Sequence, residues 1–245
     1  MASSSGSSPA SRRPRFEKLG ALLWLCLFPA LAVADPLPDY LRTALNGFHT
    51  DVPAGWAYTL ATTRNDQRMT ERYDPASPPA GQWTLLEWLG QAPDAEEAAK
   101  YARSRPHATA GGAKANFNRT DIEPASLALV REDDHVAEWT AVFRETSTGP
   151  DKMLGHLQLT LTVTKQSPHV SAYVLELKEP YWPVLGVKML TLRVEVRYLP
   201  PAEGRPALPE RQVSRFSGRI LFIPTEEELE LRYTDYQWRS GELSR

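Results

Sequence analysis

Two segments of regular alternation constrain the fold of this chain more than any other feature. Aliphatic and polar side chains alternate over residues 154–165, and they alternate again over 187–198. A two-residue period places alternate side chains on opposite faces of a β-strand, so each strand has one buried face and one solvated face. The aliphatic residues predicted to point inward are Leu157, Leu159, Leu161, Val163, Leu190, Leu192, Val194 and Val196.

About ten segments carry strand signals, and clusters of Gly, Pro, Asn and Asp separate most of them. The predicted strands are 56–64, 68–73, 82–88, 127–131, 135–144, 154–165, 170–178, 187–198, 212–223 and 229–236. Two predicted helices, 38–46 and 93–105, do not alternate with the strands, so there is no βαβ rhythm. We predict a mainly β fold. Its long antiparallel strands form a strongly curved meander or half-open β-barrel, with the two short helices packed at one side.

The composition of the second predicted helix suits an element that covers a surface rather than one that fills the core. Asp94 and Glu97 have the spacing of a capping box, and alanine dominates the residues that follow. The helix has no stripe of large apolar side chains with which to fill a core. A long loop at about 106–123 follows it, contains two adjacent glycines, and is predicted to be mobile.

Residues 1–34 are predicted to be a secretory signal peptide. A basic segment precedes an apolar run over 21–34, which ends in Ala32-Val33-Ala34. This order is typical of a cleaved signal, and the run is shorter than the roughly 20 apolar residues that cross a bilayer. We therefore expect one domain over 35–245, located in the periplasm or secreted, with no stable membrane span after cleavage. The sequence leaves open whether the Sec or the twin-arginine pathway exports it.

The single cysteine of the chain, Cys26, lies within the predicted signal peptide. A mature chain without cysteine has no disulfide, no reactive thiol and no cysteine ligand for haem, iron–sulfur clusters or zinc. No basic face stands out, so nucleic acid is not an expected partner. We predict that the protein uses no cofactor.

No arrangement of reactive side chains in the sequence points to catalysis. The five histidines lack the spacing of paired metal ligands. Asp133-Asp134-His135 fits a solvated hairpin turn better than a metal site, and the carboxylates over 226–230 fit a solvated edge. Because serine-nucleophile and phosphate-binding motifs are also missing, we predict a non-enzymatic protein with no catalytic residue and no metal site.

The aromatic pair Tyr181-Trp182 is the sequence's best candidate for a functional surface. Pro180 and Pro183 flank the pair in a predicted link between strands, where both rings cannot be buried easily. Most of the other tryptophans fall in predicted strands and are expected to belong to the core.

The order of a helix, long antiparallel strands, an inserted helix and loop, and then more strands resembles the LolA-like periplasmic lipoprotein carriers. It is similar also to their relatives, the RseB-like sensors of lipoprotein stress. The resemblance is one of layout over 35–245, without a specific motif. It implies a half-open β-barrel that holds acyl chains, with 38–46 and 93–105 as the lid and 56–236 as the barrel.

These observations predict an exported bacterial envelope protein that binds a lipid or another apolar ligand in the concave face of its sheet. The predicted ligand-binding residues are Leu159, Leu161, Leu192, Val194, Tyr181 and Trp182. Two alternatives stay open. One is a structural or interaction protein that binds an envelope protein through strand edges and aromatic residues, and the other is a hydrolase whose catalytic residues the sequence does not reveal.

Overall fold

A computed structural model describes residues 37–104, 117–144 and 150–239. Its helices are α1, Asp39–Asn46, and α2, Ala95–Ser104. The strands are β1 Trp56–Arg64, β2 Gln67–Tyr73, β3 Trp83–Trp88, β4 Ala128–Glu132, β5 Val136–Val142, β6 Leu157–Thr164, β7 His169–Leu177, β8 Tyr181–Val184, β9 Val187–Leu199, β10 Leu208–Ile220 and β11 Ile223–Trp238. The predicted signal peptide lies outside the described residues, so its cleavage and the domain boundary that follows it stay predictions.

The strands form one antiparallel sheet with the order β3-β2-β1-β11-β10-β9-β7-β6-β5-β4, and β8 pairs with β9 beside this path. Within the described residues the sheet does not close into a barrel, because β3 and β4 remain its two ends. The predicted fold class is therefore confirmed: a mainly β protein with an open antiparallel sheet and two short helices.

The first and last strands are neighbours in the sheet, which the predicted meander did not include. Trp56 at the start of β1 pairs with Trp238 at the end of β11. As a result, the meander from β4 to β11 is extended beyond its last strand by β1, β2 and β3. This pairing joins residues far apart in sequence, and no local pattern of residues encodes it.

One row of cross-strand partners defines what we call the inner face of the sheet. Cross-strand partners in an antiparallel sheet share a face, so the row can be followed from strand to strand. From β5 to β2 it contains Trp139, Leu161, Tyr173, Val196, Gln212, Leu231, Thr62 and Met69. Both helices lie on this face, as the prediction of helices at one side requires.

Helix α1 packs against the inner face through residues spaced three and four apart. Leu41, Ala44 and Leu45 are buried in the main apolar cluster of the protein. This spacing places all three side chains on one face of the helix. The helix ends at Gly47, whose backbone N–H donates to the carbonyl of Thr43.

Helix α2 has the predicted capping box but no buried residue. The backbone N–H of Glu97 donates to Asp94 Oδ1 at 2.8 Å, and the N–H of Asp94 donates to Glu97 Oε2 at 3.0 Å. All described residues of the helix are at least partly exposed, in agreement with its alanine-rich composition. The helix therefore lies on the sheet without filling a core.

The outer face of β9, β10 and β11 carries the polar side chains of the alternating pattern. These side chains form a ladder of ion pairs across the strands. Glu230 accepts hydrogen bonds from Arg211 Nε at 2.7 Å and from Arg232 Nε at 2.6 Å. The bond from Arg211, followed by the bond from Arg232, holds the pKa of Glu230 below its usual range. Solvent-exposed ion pairs contribute about 0–1 kcal/mol each to the free energy of unfolding. The ladder therefore keeps this face polar and adds little to the stability of the fold.

The inward set predicted from alternation is buried except for Leu190. The register between β9 and β10 shifts next to Gly218, so Met189 rather than Leu190 takes the buried position. A β-bulge inserts one residue and inverts the alternation beyond it, and the sequence carried no sign of the bulge.

Four boundaries of secondary-structure elements predicted from the sequence are wrong. Residues 150–156 form a 3-10 helix, so β6 begins at Leu157 rather than at 154. The sequence predicts a proline-rich loop over 199–210, but residues 208–210 belong to β10. The link that contains Tyr181 is the short strand β8. The turn expected within 224–228 instead lies at Leu221-Phe222, and β11 already begins at Ile223.

Two residues of the predicted long loop, Phe117 and Ile122, belong to the core, whereas its residues before 117 lie outside the described ranges. Phe117 and Ile122 are buried, and a single 3-10 turn, Arg119–Asp121, lies between them. The backbone N–H of Asn118 donates to Asp121 Oδ2, which caps this turn.

Candidate functional site

Four of the six predicted ligand-binding residues lie together in the packed interior. Leu159 and Leu161 are 0% exposed, Val194 is 2% exposed and Leu192 is 5% exposed. They share one apolar cluster with Leu41 of α1. The inner face is therefore filled at this position, and a ligand reaches these side chains only if α1 moves. Their contact with a ligand stays a prediction.

The other two predicted residues, Tyr181 and Trp182, point in different directions. Tyr181 is partly buried against the main cluster and stacks on His156 with ring centroids 3.8 Å apart. Trp182 is 59% exposed, and the ammonium group of Lys188 lies 4.5 Å from the centre of its ring. Adjacent residues of a strand face opposite sides of a sheet, so the two rings lie on different faces, and their contact with a ligand stays a prediction.

A second apolar cluster occupies the same inner face, away from α1. It consists of Leu60, Leu229 and Leu231 on β1 and β11, with partly buried Tyr58, Trp83 and Tyr233 packed against it. Ser214 of β10 lies between the two clusters, since Val194 of the first cluster and Leu229 of the second are its cross-strand partners. Leu60, Leu229 and Leu231 are only 2–4% exposed, so the buried apolar side chains of the inner face form two separate clusters.

A buried glutamate joins α2 to this second region. Glu71 of β2 is 1% exposed, and its cross-strand partners on the inner face are Leu60 and Leu85. The hydroxyl of Tyr101 on α2 donates a hydrogen bond to Glu71 Oε1 at 2.6 Å. A carboxylate in apolar surroundings requires such partners, so this bond fixes α2 over the end of the sheet.

No family model matches the chain, and no curated protein matches it. It is similar to a solved structure. That structure is a LolA superfamily protein from Nitrosomonas europaea, with 15% sequence identity and a TM-score of 0.34 over 82% of this chain and 94% of that chain.

Four tyrosines on β7, β9 and β11 are shielded from solvent, Tyr173 and Tyr198 being buried and Tyr233 and Tyr236 partly buried. Burial raises the pKa of Tyr173, Tyr198 and Tyr236, and it raises the pKa of Tyr233 to about 12. The hydroxyl of Tyr236 donates to the carbonyl of Pro209 at 2.6 Å, whereas the buried hydroxyl of Tyr198 has no partner within the described residues. These phenols are neutral hydrogen-bonding groups at physiological pH.

The tyrosines predict a loss of stability at alkaline pH. A phenol whose folded pKa lies above its unfolded value of about 10 stabilises the fold fully below pH 10 and loses that contribution as the pH rises further. We expect the denaturant midpoint to fall between about pH 10 and pH 12, the interval set by the raised pKa of Tyr233. Chemical denaturation measured from pH 8 to 12 checks this. The fall should be shallower in Tyr233→Phe, and an equal fall in both proteins would contradict the assignment.

A pocket of about 480 Å³ lies at the end of β9, β10 and β11. Its lining is Arg197, Leu199, Arg205, Glu210, Arg211, Arg232, Tyr233, Thr234, Asp235 and Tyr236. Because Arg211 and Arg232 bond Glu230, and Arg197 pairs with Glu195 at 3.1 Å, most of its guanidinium groups already have carboxylate partners. Over the described ranges there is neither a cluster of three metal-ligating side chains nor a helix of membrane-spanning length and hydropathy.

The four most exposed apolar residues of the described chain, Leu185, Phe222, Leu221 and Ile223, lie at two hairpin turns, of which sequence reasoning missed the second. We call them the apolar tip: Trp182, Val184, Leu185, Ile220, Leu221, Phe222 and Ile223. Leu185 is 103% exposed and Phe222 is 93% exposed. The turns touch, because the backbone N–H of Leu221 donates to the carbonyl of Gly186 at 2.8 Å. The run of four apolar residues at 220–223 was the available signal, but it is equally typical of a strand.

The second turn holds bulky residues in a backbone conformation that favours glycine or asparagine. The φ angles are +48° at Leu221 and +75° at Phe222. Two-residue hairpin turns with positive φ at both positions are usually Asn-Gly, and non-glycine residues held there cost about 1–3 kcal/mol each. Leu-Phe is therefore a poor choice for the turn itself, which indicates that the side chains serve another purpose.

Proposed function

We propose that this is an exported, non-enzymatic protein that binds a lipid or another apolar ligand on the inner face of its open sheet. One observation carries the proposal: the second apolar cluster lies on the same face as the first but outside the contacts of α1. A domain usually has one contiguous core with smaller satellite clusters, and a satellite cluster on an open sheet can bind an apolar ligand once the groups that cover it move.

Helix α2 is suited to cover such a ligand. It contributes no buried side chain of its own, and its hydrogen bond from Tyr101 to Glu71 holds it at the border of the second cluster. A cover attached by polar contacts can move away without exposing apolar residues of its own. A ligand that reaches Leu60, the cross-strand partner of Glu71, gains about 0.8 kcal/mol for each CH₂ group that it buries.

The proposed location is the periplasm or the exterior of the cell, as the predicted signal peptide over 1–34 indicates. A site of this kind needs neither a catalytic group nor a cofactor. Its chemistry is supplied by aliphatic and aromatic side chains, with the neutral phenol of Tyr233 at the cluster.

Two substitutions at adjacent residues test the site. Ser214 lies between the two clusters on the inner face, whereas Arg215 is on the outer face and pairs with Glu228 at 3.1 Å. Ser214→Trp fills the space between the clusters without removing an apolar side chain. Arg215→Trp adds the same ring to the outer face and is the matched control.

The readout is the fluorescence of cis-parinaric acid, a fatty acid that brightens in apolar surroundings. We expect the wild-type protein and Arg215→Trp to bind it alike, and Ser214→Trp to bind at least about tenfold more weakly, a difference of about 1.4 kcal/mol. Circular dichroism shows whether each variant is folded. Equal binding by both folded variants, or none by the wild type, would refute the proposal.

The two ends of the sheet favour a second candidate, an envelope interaction protein. Leu86 and Trp88 on β3, and Leu129 and Val130 on β4, are exposed apolar residues on the terminal strands. Such edges can add a strand from a partner. This candidate gains support if the folded wild type binds no fatty acid and if Val130→Lys abolishes a cross-link to an envelope protein.

A further inference from the structure

We propose that the apolar tip docks onto the surface of an anionic phospholipid bilayer. This inference does not depend on a ligand at the inner face, because the tip lies at the hairpin turns after β8 and β10. Its apolar residues protrude from these turns, as the nearly complete exposure of Leu185 and Phe222 shows. Apolar side chains presented on turns can enter the boundary between headgroups and acyl chains without unfolding the protein.

The two turns are held as one rigid unit. Besides the hydrogen bond from Leu221 to Gly186, the side chain of Leu221 packs so closely that a Cβ on Gly186 would lie 2.9 Å from its Cδ2 atom. Gly186 has a φ of +84°, a conformation that glycine adopts without strain. The apolar residues therefore form a fixed surface before they meet a membrane, so docking orders little additional chain.

The charges beside the tip suit anionic lipid. Lys188 and Arg219 are cross-strand partners on β9 and β10, and within the described residues neither forms a salt bridge. Lys188 lies over the ring of Trp182, which places an ammonium group and an amphipathic indole together. Tryptophan is typical of the membrane interface, and lysine and arginine bind lipid phosphates.

The size of the tip favours a bilayer over a protein partner. Stable protein interfaces use roughly 20–30 residues on each side, whereas the tip consists of two short turns and Trp182 beside them. A bilayer has no fixed shape to complement and accepts a small protruding surface. The same apolar residues would give a second copy of this chain too little contact for a stable dimer.

The test uses a variant whose fold should be retained. Leu221→Asn combined with Phe222→Gly removes both bulky residues and supplies the sequence that this turn conformation favours. Leu129→Asn, at an exposed leucine of β4, is the control for loss of an apolar side chain elsewhere. A third variant, Lys188→Gln with Arg219→Gln, removes the charges and keeps the apolar residues. All are exported, purified and checked by N-terminal sequencing alongside the wild type, so that their N-termini are identical.

Binding is measured by flotation with vesicles of phosphatidylcholine alone and with one third phosphatidylglycerol. We expect the wild type and Leu129→Asn to float with the anionic vesicles at low salt and less so at 0.5 M NaCl. The tip variant should bind at least tenfold more weakly without a lower melting temperature, and the charge variant should lose its preference for anionic lipid.

Three outcomes would overturn the inference. They are no binding of the wild type to anionic vesicles, equal binding by the folded tip variant, and a wild-type dimer that the tip variant abolishes in sedimentation velocity. A measurement of cis-parinaric acid binding by the tip variant distinguishes a failure of this inference from a failure of the proposed function. A tip variant that loses vesicle binding but keeps the fatty acid supports both.

Discussion

Replacing Leu161 by alanine should lower the free energy of unfolding by about 2–5 kcal/mol, the range for a leucine in a packed core. Leu161 is 0% exposed, and its cross-strand partners on the inner face are Trp139 and Tyr173. The lost methyl groups leave a cavity that these rigid neighbours cannot close. In a domain of this size each kcal/mol lowers the melting temperature by roughly 2–4 °C.

Leu129→Ala is the matched control, because Leu129 also pairs with Trp139 but is 44% exposed. Its effect should stay within about 0.5 kcal/mol, as for most surface substitutions. Urea denaturation of both variants without ligand measures the difference. A loss below about 1 kcal/mol for Leu161→Ala would mean that this part of the inner face encloses space rather than packed side chains, and that a ligand can reach the predicted residues directly.

Alternation predicted the strands and the buried face where the strand itself carries no extra residue. In β6 the period of two runs without interruption from Leu157 to Val163, and all four aliphatic residues are buried. The prediction failed at Leu190, where a bulge inverts the pattern. Bulges depend on how two strands pair, so a pattern read along one strand does not contain them.

The candidate site was less predictable, because its parts come together only through tertiary structure. The sequence singled out Trp182, which belongs to the apolar tip, but it read Leu221 and Phe222 as strand residues, since no Gly, Asn or Pro marks their turn. Glu71 gave no signal either, because a glutamate in a strand is ordinarily solvated. Its burial follows from its place between β1 and β3 and from the hydroxyl of Tyr101.

Replacing Phe117 by alanine should cost about 3–5 kcal/mol, although the sequence places this residue in a mobile loop. Its ring is 2% exposed and meets Phe143, Tyr173 and Phe48 with centroids 5.0, 5.3 and 5.7 Å apart. Thr50 Oγ1 donates to its backbone carbonyl at 3.0 Å, so the segment after α2 is tied to the segment after α1.

Phe222→Ala is the matched control, because it makes the same substitution at a residue of the apolar tip that is 93% exposed. It removes the same ring from solvent rather than from a core, and its effect on unfolding should stay within about 0.5 kcal/mol. Thermal unfolding of the two variants should therefore separate by roughly 5 °C or more at the expected difference in free energy. Equal melting temperatures would mean that the aromatic cluster around Phe117 does not stabilise the fold. In that case the segment 117–123 would be free to leave the core.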